Sequence, residues 1–240
     1  MSFNVVLMTG SVNTLLVITY LIVFFNMGLG LYESTFLALL ITSISNILSR
    51  FNLPVGSLRL LNELRKASVI KLHNDFLVQS LRFRAVRDIT VEFNLGGALI
   101  PLTISTLLLT HIAVSYGMTS LMTALMLTAL STLIVNRISI VIRGLGLAVP
   151  VLMASLLISV LCLAVNTVAG GFKSLSIHYS YLVAYVSILL GVDLMNLSKI
   201  TFYTARKLII GGLKVYDALS LMPATSTIIT YTIVTLPYII

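Results

Sequence analysis

The sequence predicts an all-α fold: a polytopic transmembrane helical bundle of seven spans, N-terminus inside and C-terminus outside. Three observations lead there. Hydrophobic residues make up 58% of the 240 and charged residues only 9%, whereas a soluble domain carries roughly 25% charged residues. Apolar runs of about 20 residues, the length that crosses a hydrocarbon core, recur along the chain. Lys and Arg fill alternate connections and leave the others nearly empty, which is the signal that sets orientation.

The predicted spans are 4–25, 29–48, 94–116, 118–136, 145–168, 178–197 and 208–238. The first lacks a basic leader and a small-residue cleavage site, so it reads as a retained helix and not a signal peptide. The second runs out in "SISNILSRFNLPVGS" (43–57), where Asn52 and Pro54 stop a helix. The third opens on "EFNLGGALIPLTIS" (92–105), with Asn94, Gly96, Gly97 and Pro101. Proline removes a backbone donor and clashes one turn back, so a kink or break is expected. Such a break either lines a polar binding site or, through its glycines, lets helices pack closely. Residue 117 alone separates the third span from the fourth. The last, with Gly211, Gly212, Lys214, Asp217 and Pro223, reads as a kinked helix or as a short broken element followed by a span.

Placing the charges fixes the orientation. Residues 50–92 hold Arg50, Arg59, Arg65, Lys66, Lys71, Arg82, Arg84 and Arg87; the loop near 136–144 holds Arg137 and Arg143; 198–207 holds Lys199, Arg206 and Lys207. The connections at 26–28 and 117 carry none, and 169–177 carries only Lys173. With the N-terminus inside, every rich connection falls on one side. The net charge of +8 is therefore a topology signal and not a nucleic-acid one. The chain reads as a single integral domain, 1–240, multi-pass in the cell membrane. Its one sizeable polar piece, 50–92, is a basic cytoplasmic or interfacial segment whose partner is anionic lipid. Within it "RLLNELRKASVIKL" has helical spacing and suits an interfacial helix, while "FLVQSLRFRAVRDITVEF" partly alternates and suits a hairpin equally.

Cofactor chemistry finds little support. Cys162 is the single cysteine, and His73, His111 and His178 lie far apart, so no metal-ligand spacing exists. No phosphate loop, haem or flavin motif is present, and no cofactor is expected.

Ionisable residues inside a span usually face the bundle interior and mark a functional path. Two qualify, Asp193 and Asp217. Asp193 lies four residues before the end of the sixth span, roughly 6 Å deep, and Asp217 nine residues into the seventh, roughly 13 Å deep. The short connection makes the two helices antiparallel neighbours, so both carboxylates sit in the cytoplasmic half and can meet. Two adjacent carboxyls do not both ionise. Sharing a proton, one serves as base to a water and the other as acid to a carbonyl oxygen. The same proton also suits a coupled carrier. The structural alternatives are a Lys214–Asp217 pair three residues apart on one helix face, and an Asn196–Asp193 hydrogen bond.

"ISNILSRFNLPV", "FNLGGALIPLTIS", "LLGVDLMNL" and "IGGLKVYDALSL", in that order, resemble the four signature stretches of domain-of-unknown-function family 1614. The resemblance implies a polytopic prokaryotic membrane protein and supplies no activity. In architecture the chain is also similar to the presenilin-like intramembrane aspartyl proteases, which place one aspartate on a sixth span and one on a seventh. The motifs depart: Val192 precedes Asp193, Lys214-Val215-Tyr216 precedes Asp217, and only 23 residues follow it.

Three functions remain open. One is an intramembrane aspartyl hydrolase with Asp193 and Asp217 as its pair. Another is a small proton- or cation-coupled carrier that uses the same carboxylates with Asn94, Gly96, Gly97 and Pro101 of the broken third span. The last is a non-catalytic scaffold in which Lys214 neutralises Asp217. Substrate and oligomeric state are not legible.

Overall fold

The computed structural model describes residues 3–72, 75–142, 146–197 and 207–236, with backbone alone in 3–8 and 58–88 and at 141 and 146. The long apolar runs form helices α1 (Phe3–Asn26), α2 (Leu31–Leu48), α3 (Ile100–Ile138), α4 (Val151–Val168), α5 (Lys173–Ile188) and α6 (Ala218–Thr235). With α3 taken from Leu95 and α5 taken to Leu194, all six are long and apolar enough to cross a membrane, and a helix closes its own backbone hydrogen bonds, as lipid requires. The protein is an all-α polytopic bundle, multi-pass by the number of these helices.

The third apolar stretch runs from Leu95 to Ile138, 44 residues. A straight helix of that length would extend about 66 Å, twice a hydrocarbon core of about 30 Å. It does not run straight. Gly117 has φ 81° and ψ 179°, a conformation open to glycine and strained for other residues. Contacts with α5 give the direction of each half. In the first half Ala98 meets Tyr185 and His111 meets His178, so the two run antiparallel. In the second half Ser120 meets Tyr179 and Asn136 meets Gly191, so they run parallel. α3 therefore folds back on itself at Gly117, where the predicted boundary fell.

α5 is the central helix. In the most apolar 18-residue window of Lys173–Leu194, 83% of the residues are buried, against 22–44% in the corresponding windows of the other five. It is buried on all sides, its polar residues Ser176, His178, Ser180 and Ser187 included. Tyr179, Leu182, Tyr185 and Ile188 pack against Ala124 and Leu127 of α3, Ile158 of α4 and Met222 of α6. Tyr181 packs with Tyr20 of α1 and Leu108 of α3. Small residues let the helices approach, as packing within lipid requires. Ser159 Oγ donates to the Ser226 carbonyl at 2.9 Å and Ser155 Oγ to the Met222 carbonyl at 3.2 Å, which seams α4 to α6.

The bundle also carries a β ribbon. Strands β1 (Asn52–Leu72) and β2 (Asp75–Asn94) pair antiparallel from Asn52 opposite Asn94 to Leu72 opposite Asp75, with a bulge between Pro54 and Gly56. The interfacial helix expected within 50–92 is thus a strand. Its helical spacing gives way because the partner strand satisfies the backbone of both along their length, and strand preference is decided by such pairing. A short pair, β3 (Ile140–Ile142) and β4 (Gly146–Ala148), takes up residues expected to open the fifth span, so α4 begins only after Pro150.

The last predicted span is the short broken element followed by a helix. Strand β5 (Lys207–Ile210) pairs parallel with β2, Thr90 opposite Lys207. Lys207 Nζ meets Glu92 Oε1 at 2.7 Å beside that pairing. A turn from Gly211, a 3-10 turn at Lys214–Tyr216 and then α6 follow. Asp217 therefore stands at the start of a helix and not nine residues into one. His73, Arg143, Lys199 and Arg206 lie outside the described residues.

Candidate functional site

One end of the bundle gathers the end of α2, the start of α3, the π-helical end of α5 and the start of α6. The order is built from the break before α3. Residues Leu95–Leu99 form a π turn, and α3 proper starts at Ile100. Pro101 stands in the first turn of α3, where its missing N–H costs nothing. Asn94 caps the π turn. Its Oδ1 accepts from the Gly97 N–H at 2.7 Å, and its Nδ2 donates to the Ser49 carbonyl at 2.9 Å and to Asn52 Oδ1 at 2.8 Å.

The two glycines admit neighbours to the backbone. A Cβ on Gly96 would run into the Ser45 carbonyl and the Ser49 N–H of the α2 end, and one on Gly97 into the Lys214 carbonyl. The Gly96 carbonyl accepts from Ser45 Oγ at 2.8 Å and the Gly97 carbonyl from Ser220 Oγ at 3.1 Å. The polar groups freed by the break are thus met by protein. At Gly96 and Gly97 the close-packing reading of the pair holds.

Asp217 is the N-cap of α6. Its Oδ1 accepts from the Leu219 N–H and its Oδ2 from the Leu213 N–H, both at 3.1 Å. Burial pushes its carboxyl above the ordinary range, and these backbone donors pull it back. Lys214 lies in the 3-10 turn with φ 65° and is exposed. Among the described residues no ion pair joins it to Asp217. The expected pairing assumed one helix face, and Lys214 is not on the helix. What Lys214 supplies is its carbonyl, set against Gly97.

Asp193 belongs to the π turn Leu189–Leu194 that ends α5. Its Oδ2 is buried and has no hydrogen-bond partner among the described residues. Asn196 Nδ2 donates to the Gly191 and Val192 carbonyls, both at 3.0 Å, which holds the π turn closed. Asn136 Nδ2 braces the same Gly191 carbonyl from α3 at 2.6 Å.

Asp193 and Asp217 lie within electrostatic reach of each other, and both lie within reach of the Tyr185 hydroxyl. Tyr185 is fully buried and donates to the Ala98 carbonyl at 2.8 Å. The sequence reading missed it. Eight residues separate Tyr185 from Asp193, which in an uninterrupted α-helix puts them about 80° apart. The extra residue that a π turn takes up cuts that offset to about 20°. No sequence signal announces a π turn, so the shared face was hidden. Two carboxyls and a phenol on a desolvated backbone cradle can hold and pass a proton; among the described residues no group of three metal-ligating side chains forms.

Residues 46–229 match a family described as protein of unknown function (DUF1614). No curated protein and no solved structure matches the chain.

Proposed function

The chain belongs to the DUF1614 family, and because that family brings no activity with it, we propose a function from the geometry. The protein is an integral protein of the cell membrane that crosses seven times, α3 counting twice, with its N-terminus inside. Its Asp193–Asp217 pair acts as an intramembrane aspartyl hydrolase. The ribbon β1–β2 lies on the cytoplasmic face against anionic lipid.

The observation that carries this reading is that two carboxylates from two different elements lie within electrostatic reach of each other. Two carboxyls so placed titrate as a unit and share a proton. One takes a proton from water as the water attacks a carbonyl carbon, and the other gives its proton to the carbonyl oxygen. Asp217 is held in place by two backbone N–H groups, while Asp193 has an oxygen that no described group engages. A fixed partner and an uncommitted one suit this division of labour. The alternatives each lack what they need: the carrier wants a cavity at Gly96 and Gly97, which are packed shut, and the scaffold wants a Lys214–Asp217 pair.

The test is cleavage of single-span reporter proteins of varied sequence in membranes that contain the chain. Cleavage is expected, with loss on Asp193→Asn and on Asp217→Asn. Cleavage that persists in both variants removes the reading. Uptake driven by a proton gradient, lost in the same variants and without cleavage, puts the carrier in its place.

A further inference from the structure

The β1–β2 ribbon has two unlike faces. Residues directly opposite in an antiparallel pair share a face, and neighbours along a strand alternate between faces. From Gly56 opposite Val91 to Leu72 opposite Asp75 the register runs unbroken, and the two faces follow from it. One carries Leu58, Leu60 and Leu64 of β1 with Leu81, Phe83 and Ile89 of β2. Its basic residues, Lys66 and Arg87, stand opposite Leu81 and Leu60. On the other face Arg59 stands opposite Asp88 and Glu63 opposite Arg84, cross-strand charge pairs that suit water. At the root of the ribbon, the apolar face is the one laid on the bundle. Ile89 is 2% exposed, and Val91 and Phe93, next in its alternation, pack on the core that holds Tyr185 and Met222. Thr90, on the other face, is exposed.

We propose that this face continues past the bundle as a docking surface for the anionic lipid that borders it. The inference rests on the membrane topology proposed above, names the face that makes the ribbon's lipid contact, and needs no hydrolysis. Three observations favour lipid. The ribbon is tied to the membrane at both ends, since α2 stops at Leu48 just before β1, and Asn94 at the end of β2 caps the π turn that leads into α3. Beyond its root β1 packs chiefly on β2, and a two-stranded hairpin alone in water is marginal at best. Taking the apolar face out of water supplies what the pairing lacks. Charge completes the fit. Lys66 and Arg87 have no acidic residue opposite them, and basic residues beside an apolar surface suit the phosphates of anionic lipid. A second copy fits worse. Joining two such faces about a two-fold axis would enclose Lys66 and Arg87 of both chains in one apolar layer, where unpaired charge is costly.

The chain has no tryptophan, so a single introduced one reports alone. The experiment places the full chain in phosphatidylcholine vesicles with and without phosphatidylglycerol, their acyl chains brominated near the headgroup to quench indole on contact. Leu64→Trp and Phe83→Trp, opposite each other on the apolar face, should lose at least half their emission with phosphatidylglycerol present and clearly less without it. Leu61→Trp and Val86→Trp, opposite each other on the other face, should keep theirs. Equal quenching on both faces, or quenching indifferent to phosphatidylglycerol, overturns the proposal. Emission kept by Leu64→Trp and Phe83→Trp also overturns it, and a chain that then sediments as a dimer puts a second copy on the face. Each face is read from both strands, so one variant that fails to fold leaves the other to decide. Phe51→Trp, at an exposed position just after α2, reports the bilayer itself. If it is quenched while Leu64→Trp and Phe83→Trp are not, the docking fails and the membrane topology stands. If it is not quenched either, the topology fails and the docking with it.

Discussion

The Tyr185 hydroxyl donates to the Ala98 carbonyl at 2.8 Å, and that bond ties the central helix to the π turn from which α3 starts. The phenol also lies within electrostatic reach of two carboxylates from separate elements. Tyr185→Phe keeps the ring and leaves the Ala98 carbonyl buried without its donor. A loss of about 1–3 kcal/mol is expected, read as a lower thermal midpoint in micelles. An unchanged midpoint would mean that another donor replaces the phenol.

Asp217 has two roles that substitution separates. Asparagine keeps a capping oxygen and alanine does not, so Asp217→Ala should cost about 0.5–2 kcal/mol and Asp217→Asn clearly less. Both should abolish the proposed hydrolysis. Equal melting behaviour for the two variants would argue against the cap.

The same residue sets a pH dependence. Burial raises the Asp217 carboxyl in the folded state, so the folded chain holds that proton more tightly than the unfolded one. Stability should then fall as pH rises above about 4, the ordinary aspartate value, and through the raised folded value. Below about pH 4 the contribution is fully present. Asp217→Asn should flatten this part of the stability-against-pH curve; a slope that the variant leaves intact belongs to another group.

Gly97 admits the Lys214 carbonyl into the space of a side chain. Gly97→Ala must move the turn before α6 or the π turn before α3, and overpacking of this kind costs about 1–3 kcal/mol. Unfolding in a mild denaturant series checks the number. If the turn moves, Asp217 moves with it, so the proposed activity should fall further than stability alone explains.

A cross-link checks the approach of the two carboxylates without relying on activity. In a chain with Cys162→Ala, the pair Asp193→Cys and Asp217→Cys should be joined by a short bifunctional thiol reagent. The pair Asp193→Cys and His178→Cys, at opposite ends of α5, should not be.

Much of the bundle is legible because its signals are local. Each long helix answers to an apolar run, and the reversal at residue 117 falls on a glycine between two such runs. What escaped reading depends on pairing or on register. "RLLNELRKASVIKL" has helical spacing by itself and becomes β1 only because residues 75–94 lie alongside it. Lys214 and Asp217 look like helix neighbours until β5 and a 3-10 turn take up the residues before α6. Asp193 and Asp217 stand out in the sequence as carboxylates among apolar residues. Tyr185 and the His111–His178 contact do not stand out: the first needs the π turn and the second the folding back of α3.

That folding back has a consequence for how the protein is made. A reversal of one glycine residue, with Ser115, Tyr116, Met118 and Thr119 around it, leaves no charged loop to carry across an apolar layer. On the proposed seven-span topology the two halves of α3 enter the bilayer together, as a hairpin, and neither has an independent topology to lose. A bulkier residue at 117 would be felt first during biogenesis, as chains with the second half left on the wrong side, before any effect on the finished bundle.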